Sequence, residues 1–279
     1  MRLIECIHTQ SRCYNATNNQ IKPVGIIVHS TGSNNTSLKR YVQPSTTSSA
    51  YGDLRSLIGI NSNGNHWNRN IKKSAHYFIG KLADGSIATV KTLPETTAAW
   101  GVGKGKNGSY NYEPTGHIQF EVCEDNLKNE SYFKAVYKEA TELCADICKR
   151  YNWKSDVIVS HKETHSKGYG TNHADIDHWL VKYGLTMNDF RAEVDRLLAP
   201  PKPKEEPKPV TNIKVGDKVK LITGATWYNG KSIKSWVFKS TLYVRKLENK
   251  SGKLVYLVST SAKLPIYTGR VYSDFVKKV

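Results

Sequence analysis

Five of the ten prolines in this chain fall inside one eleven-residue run, Ala199-Pro200-Pro201-Lys202-Pro203-Lys204-Glu205-Glu206-Pro207-Lys208-Pro209. Each proline holds φ near about −65° and lacks an amide proton, so such a run can enter neither a helix interior nor a sheet interior. It reads as an extended, semi-rigid spacer. Whatever the chain folds into must therefore be two separate units: residues 1–198 and residues 211–279, joined by a Pro/Lys-rich linker over 199–210. A length of 279 residues suits that division.

The first segment alternates strands and helices. Gly25-Ile26-Ile27-Val28 is a β-branched run of the kind buried on both faces of a sheet. His76–Ile79 and Ser86–Val90 flank Asp84-Gly85, a hairpin signal. Ile118-Gln119-Phe120-Glu121-Val122 and Val157-Ile158-Val159 read as further strands. From Glu130 to Tyr151, apolar residues Phe133, Val136, Ala140, Leu143 and Ile147 recur every three or four positions, which predicts a long amphipathic helix. Thr186 with Asp189 is a capping-box start for a final helix. The fold class expected is α/β, a mixed central sheet flanked by helices. The second segment shows only short alternating runs, with turn signals at Gly216-Asp217, Asn229-Gly230 and Ser251-Gly252, and predicts a small all-β barrel.

Charge narrows the choice of partner. The formal net charge is +17, and residues 211–279 hold 14 Lys and Arg against three Asp and Glu, a net of +11. An excess of that size calls for a polyanion: nucleic acid, an anionic membrane surface or an anionic cell wall. No nucleic-acid-binding motif accompanies the charge, and no apolar run approaches the length of a membrane span. The first residues reach Glu5 without an apolar stretch, so no secretory signal is expected. Cys6, Cys13, Cys123, Cys144 and Cys148 are odd in number and form no CxxC pair, which argues for buried free thiols rather than disulfides or a thiolate metal site.

Two histidines stand at the ends of predicted strands, where α/β sheets place their functional groups. His29 follows Ile26-Ile27-Val28, and His161 follows Val157-Ile158-Val159-Ser160. The stretch after His161 is rich in possible ligands: Glu163, His165, His173, Asp175, Asp177 and His178. Two imidazoles and a carboxylate with one open position form a catalytic zinc arrangement. Residue types alone leave that reading and a polar surface loop both open, and they leave Glu121 equally readable as a salt-bridged strand residue.

Several motifs together carry a resemblance: His29-Ser30-Thr31-Gly32, Ala75-His76-Tyr77-Phe78, Phe120-Glu121-Val122-Cys123-Glu124-Asp125, Ser160-His161, and Asn172-His173-Ala174-Asp175. This pattern resembles the zinc-dependent N-acetylmuramoyl-L-alanine amidases of the amidase-2 group, related to T7 lysozyme and the peptidoglycan recognition proteins. It is similar in particular to endolysins of clostridial phages. The resemblance spans nearly all of residues 1–198. It implies one Zn2+ per chain, held by His29, His161 and Asp175. It implies Glu121 as general base and His173 as the group supporting the transition state. It places His76 near the metal. The Gly/Asn-rich loop Asn63-Gly64-Asn65-His66-Trp67-Asn68 and the Trp100 loop are expected to line the substrate groove. Gly101 stands where the family often has a histidine, which implies a lost substrate contact. His165 is the rival third ligand.

Residues 211–279 look like the SH3-like wall-binding modules of autolysins and phage lysins, with Trp227, Tyr228 and Trp236 available for wall contacts. The whole then reads as a peptidoglycan hydrolase acting on the bond between N-acetylmuramic acid and L-alanine. Peptidoglycan and anionic wall polymers are its partners. It is expected to be made in the host cytoplasm and released by a holin. A non-catalytic peptidoglycan receptor and a zinc peptidase cutting within the stem peptide are the alternatives.

Overall fold

The computed structural model describes residues 1–199, 212–262 and 267–279. The proline-rich run lies, apart from Ala199, outside them. Six strands make the sheet of the first unit: β1 (Leu3–Glu5), β2 (Ile26–Ser30), β3 (Tyr77–Lys81), β4 (Ile87–Lys91), β5 (Ile118–Val122) and β6 (Ile158–Ser160). Their spatial order is β1-β4-β3-β5-β2-β6. β3 and β4 are the antiparallel hairpin, and the other pairings are parallel, so the sheet is mixed. β2 and β5 are buried at all five positions. Parallel strands covered on both faces carry such continuous apolar runs.

Five helices accompany this sheet: α1 (Tyr51–Ile58), α2 (Glu130–Tyr151), α3 (His161–Lys167), α4 (Asp177–Lys182) and α5 (Met187–Leu198). The Asn129 side chain accepts the Tyr132 amide at the start of α2, and Asn152 closes it in the left-handed conformation. The predicted stripe of Phe133, Val136, Ala140, Leu143 and Ile147 is buried, together with Cys144 and Cys148. It packs with α5 against Ile26, Val28, Tyr77, Ile79, Ile118, Phe120 and Val122 of the sheet. All five cysteines are buried and free. Thr186 and Asp189 form the expected reciprocal cap of α5.

Because strand residues alternate in facing, the partners of those core residues point the other way. In register, Ile27 faces Gln119 and His29 faces Glu121 across β2 and β5. One face of the sheet is therefore core under α2. On the opposite face Phe78, Ala88 and Val90 of β3 and β4 enter a second apolar cluster, and the polar groups His29, Gln119 and Glu121 gather on β2 and β5.

The second unit holds a five-stranded antiparallel sheet from β7 (Lys218–Leu221), β8 (Leu242–Lys250), β9 (Lys253–Ser259), β10 (Gly269–Tyr272) and β11 (Val276–Lys278). Its order is β10-β9-β8-β7-β11. Ser251 and Gly252 both have positive φ between β8 and β9, as a tight hairpin turn requires. The segment is not strands alone: α6 (Ser235–Lys239) interrupts them, burying Val237 while Trp236 stays half exposed. Val219, Leu242, Val244, Tyr256, Val258 and Val271 form its core. By contacts the chain divides into two units, Met1–Pro200 and Pro201–Val279. Among the described residues, no helix is long and apolar enough to cross a membrane.

Candidate metal centre and active site

His29 and His161 arrive from neighbouring strands. His29 lies inside β2, one residue before its end. His161 directly follows β6 and opens α3, so the stretch expected as a loop begins as a helix. Ser160 and Glu163 form a reciprocal capping box there, and Glu163 also pairs with Arg191 at 3.0 Å. That use removes Glu163 from the ligand candidates.

Asp175 enters between the two rings. Its Oδ2 is 3.1 Å from His29 Nδ1, and its Oδ1 is 3.4 Å from His161 Nδ1. The rings of His29 and His161 meet edge to face, with centroids 4.8 Å apart. One ligand atom from each of His29, His161 and Asp175 lies within 4.8 Å of the others. The outer nitrogens are held as well. His29 Nε2 lies 3.3 Å from Gln119 Oε1, and His161 Nε2 lies 3.3 Å from the Thr171 hydroxyl. Second partners of this kind aim metal-binding imidazoles. Two imidazole nitrogens and one carboxylate converging in this way fit a divalent metal ion.

The electrostatics agree. Burial opposes charge on Asp175, but hydrogen bonds from His161 and His29 outweigh it and hold the carboxyl far below its usual range. Burial also opposes charging of His29, yet the Asp175 bond and the Glu121 carboxylate raise its pKa overall. His161, pushed mainly by burial, goes down. Glu121 is buried, and its Oε2 has no hydrogen-bond partner. Burial pushes its carboxyl up to about 7, with His29 pulling down and Asp175 pushing up. A dry carboxyl poised near neutrality beside a ligand cluster is what a general base needs. His173 is largely exposed. Its ring stacks on His161 at 4.6 Å, on the solvent side of the cluster.

Not every expected residue is here. His76 is fully buried; its Nδ1 accepts the Gln119 amide at 2.9 Å and its Nε2 donates to the Thr97 carbonyl at 2.8 Å. It links β3, β5 and the 92–97 loop and has no surface to offer a substrate. Trp67 is likewise core, edge-on to Phe78 at 5.0 Å and to Tyr41 at 6.1 Å. His66 beside it is half-buried, its pKa lowered by burial and by Arg69. His165 is exposed, with Nδ1 3.3 Å from the Gly170 carbonyl, and does not join the cluster. His178 turns to Glu124 at 3.1 Å. Trp100 does line a cleft of about 830 Å³, with Arg12, Lys72, Lys104, Asn111, Tyr112 and Tyr169. Gln119 and Thr171 were not anticipated. For Gln119 the available signal was a polar residue two positions from Glu121 on one strand face.

Residues 19–176 match the family described as N-acetylmuramoyl-L-alanine amidase, Amidase_2. The chain belongs to this family. The match covers more than half of the chain and contains every residue of the cluster, so the enzyme is a peptidoglycan-hydrolysing amidase. Among solved structures, the amidase is similar to the Staphylococcus aureus hydrolase AmiA in complex with its ligand, at 15% identity over 71% of this chain and 83% of that one, with TM-score 0.47. A mutant endolysin from Bacillus subtilis is 22% identical over 70% and 99%, with TM-score 0.42. The PlyG catalytic domain is 17% identical over 73% and 99%, with TM-score 0.44. No curated protein matches the chain.

Proposed function

We propose that the amidase holds one zinc ion through His29, His161 and Asp175, and that Glu121 and His173 carry out proton transfer and oxyanion support. The observation carrying this is the convergence of both Nδ1 atoms on the two oxygens of Asp175, with the unpartnered Glu121 Oε2 close by in register. A zinc ion held by these three residues would supply Lewis acidity, lowering the pKa of water and polarising the amide carbonyl. Glu121, ionised, takes the proton from the attacking water and passes it to the leaving nitrogen of L-alanine. That nitrogen needs the proton, because an amide anion is too basic to depart. His173 presents a ring N–H from the solvent side toward the oxygen on which negative charge develops. The cleft walled by Trp100 and Tyr169 is the groove for the stem peptide.

Residues 211–279 anchor the enzyme to the wall in this reading. Their charge of +11 suits anionic wall polymers. Tyr228 and Trp236 are exposed enough to meet a glycan or peptide face. Trp227 instead packs on Gly269 and the core of its unit, so it leaves the contact set. Metal analysis tests the centre. The wild-type chain should carry about one zinc, His29→Ala should lose it, and Glu121→Ala should keep it. Full zinc content and activity in His29→Ala would refute the ligand set.

A further inference from the structure

The glycine at 101 removes a side chain from the edge of the site, yet the space is not empty. A Cβ on Gly101 would overlap Gln119 Oε1 and sit 3.2 Å from His29 Nε2. The carboxamide of Gln119, fully buried, fills the place beside His29.

Its orientation is dictated from the backbone inward. The Val102 amide donates to Asn111 Oδ1 at 3.2 Å, and Asn111 Nδ2 donates back to the Val102 carbonyl. Asn111 Oδ1 is thereby an acceptor. Gln119 Nε2 donates to it at 2.9 Å and to the Ala99 carbonyl at 3.2 Å. Both amide protons are then used, and only Gln119 Oε1 is left to face His29. An oxygen acceptor against Nε2 requires a proton on Nε2. In the neutral ring that leaves the lone pair on Nδ1, the nitrogen turned to Asp175.

We propose that Gln119 is a positioning residue that selects the Nε2–H tautomer of His29 and so presents Nδ1 for metal binding, and that residue 101 is glycine because Gln119 occupies its side-chain space. This rests on the zinc reading for its consequence, though the tautomer itself can be read without metal. The order of the relay is Val102 backbone, Asn111, Gln119, His29. Gln119 itself is fully buried and does not line the groove, whereas Val102 and Asn111 do.

The test uses the full chain. Zinc affinity is measured by competition with a chromophoric chelator, and the His29 ring is followed by nitrogen-15 NMR with and without zinc. Gln119→Met keeps the volume but removes the acceptor. It should weaken zinc binding by about 10- to 100-fold, the usual reach of an outer-shell partner. It should also abolish the slowly exchanging Nε2 proton of His29. Gly101→Ala should do the same from the opposite side by displacing the carboxamide, and it decides the matter if Gln119→Met does not fold. In the double variant with Gln119→Ala, which empties that space, Gly101→Ala should add nothing to the loss from Gln119→Ala. Wild-type affinity and an unchanged Nε2 proton in Gln119→Met would overturn the proposal. So would a loss from Gly101→Ala that is equally large with Gln119→Ala in place, since the methyl would then act on His29 directly. A wild-type chain that binds no zinc, yet shows a protected Nε2 proton that Gln119→Met removes, would support the relay and overturn the zinc reading alone.

Discussion

Beside the His29, His161 and Asp175 cluster, Glu121 Oε2 is buried without a hydrogen-bond partner and His173 is largely open to water. Their removal should leave the three ligands in place. Glu121→Gln and His173→Ala are expected to keep zinc and to lose about 10²-fold or more in turnover, the scale of general acid–base and oxyanion contributions. Zinc content and kcat measured on the same preparations check this. Loss of zinc in either variant would make that residue a ligand instead. That His29 and His161 come together was legible because each ends a β-branched run, and strand ends are where such sheets expose function. His76 and Trp67 could not be assigned from the chain. Their neighbours in sequence resemble those of a site residue, and only the fold shows that His76 is bonded between the Gln119 amide and the Thr97 carbonyl and that Trp67 packs into a core cluster. Gln119 was hidden for the converse reason. A single glutamine in a strand has no signature until the neighbouring β2 is seen to bring His29 against it.

At the scale of elements, α2 holds the sheet in place. Leu143 is buried among Val136, Ile147 and the strand residues. Leu143→Ala should destabilise the first unit by roughly 2–5 kcal/mol. Denaturant melts should show this as a lower midpoint at unchanged slope, and a change under about 1 kcal/mol would deny α2 that role. The loop before β5 is tied to the end of α2 by Glu95, whose carboxylate takes two bonds from Arg150 and one each from Tyr77 and Tyr151. Burial raises its pKa, but the Arg150 and Tyr77 bonds outweigh it and hold it at about 2, below the ordinary 4.5. The unfolded chain therefore binds that proton first. The stabilisation is complete above 4.5 and is lost as pH falls from there toward 2. Thermal melts of wild type and Glu95→Gln should converge over that window, and a constant gap would contradict it. The long helix and the hairpin could be read directly, since period and turn chemistry are local. α3 was obscured because its residues look like ligands, although Ser160 and Glu163 spell a capping box. α6 is five residues long, too short for a period to show.

For the whole molecule, each of the two units has a core of its own. Residues 1–198 should fold and cleave walls alone, and residues 211–279 should bind walls without cutting them. Because exposed charge is screened beyond roughly 10 Å at 0.1 M salt, part of that binding should fall as salt is raised, leaving a remainder from specific contacts. Pull-downs with walls, with walls stripped of anionic polymers and with DNA would check this. Equal binding to DNA, lost fully with salt, would reduce the second unit to a nonspecific polycation. The bond that is cut remains the most direct test of the whole. Mass spectrometry of fragments released from purified walls should show new free L-alanine amino termini and no new reducing ends, with release stopped by a chelator and restored by zinc. New reducing ends, new D-amino termini, or release indifferent to the chelator would contradict a zinc amidase built on His29, His161 and Asp175.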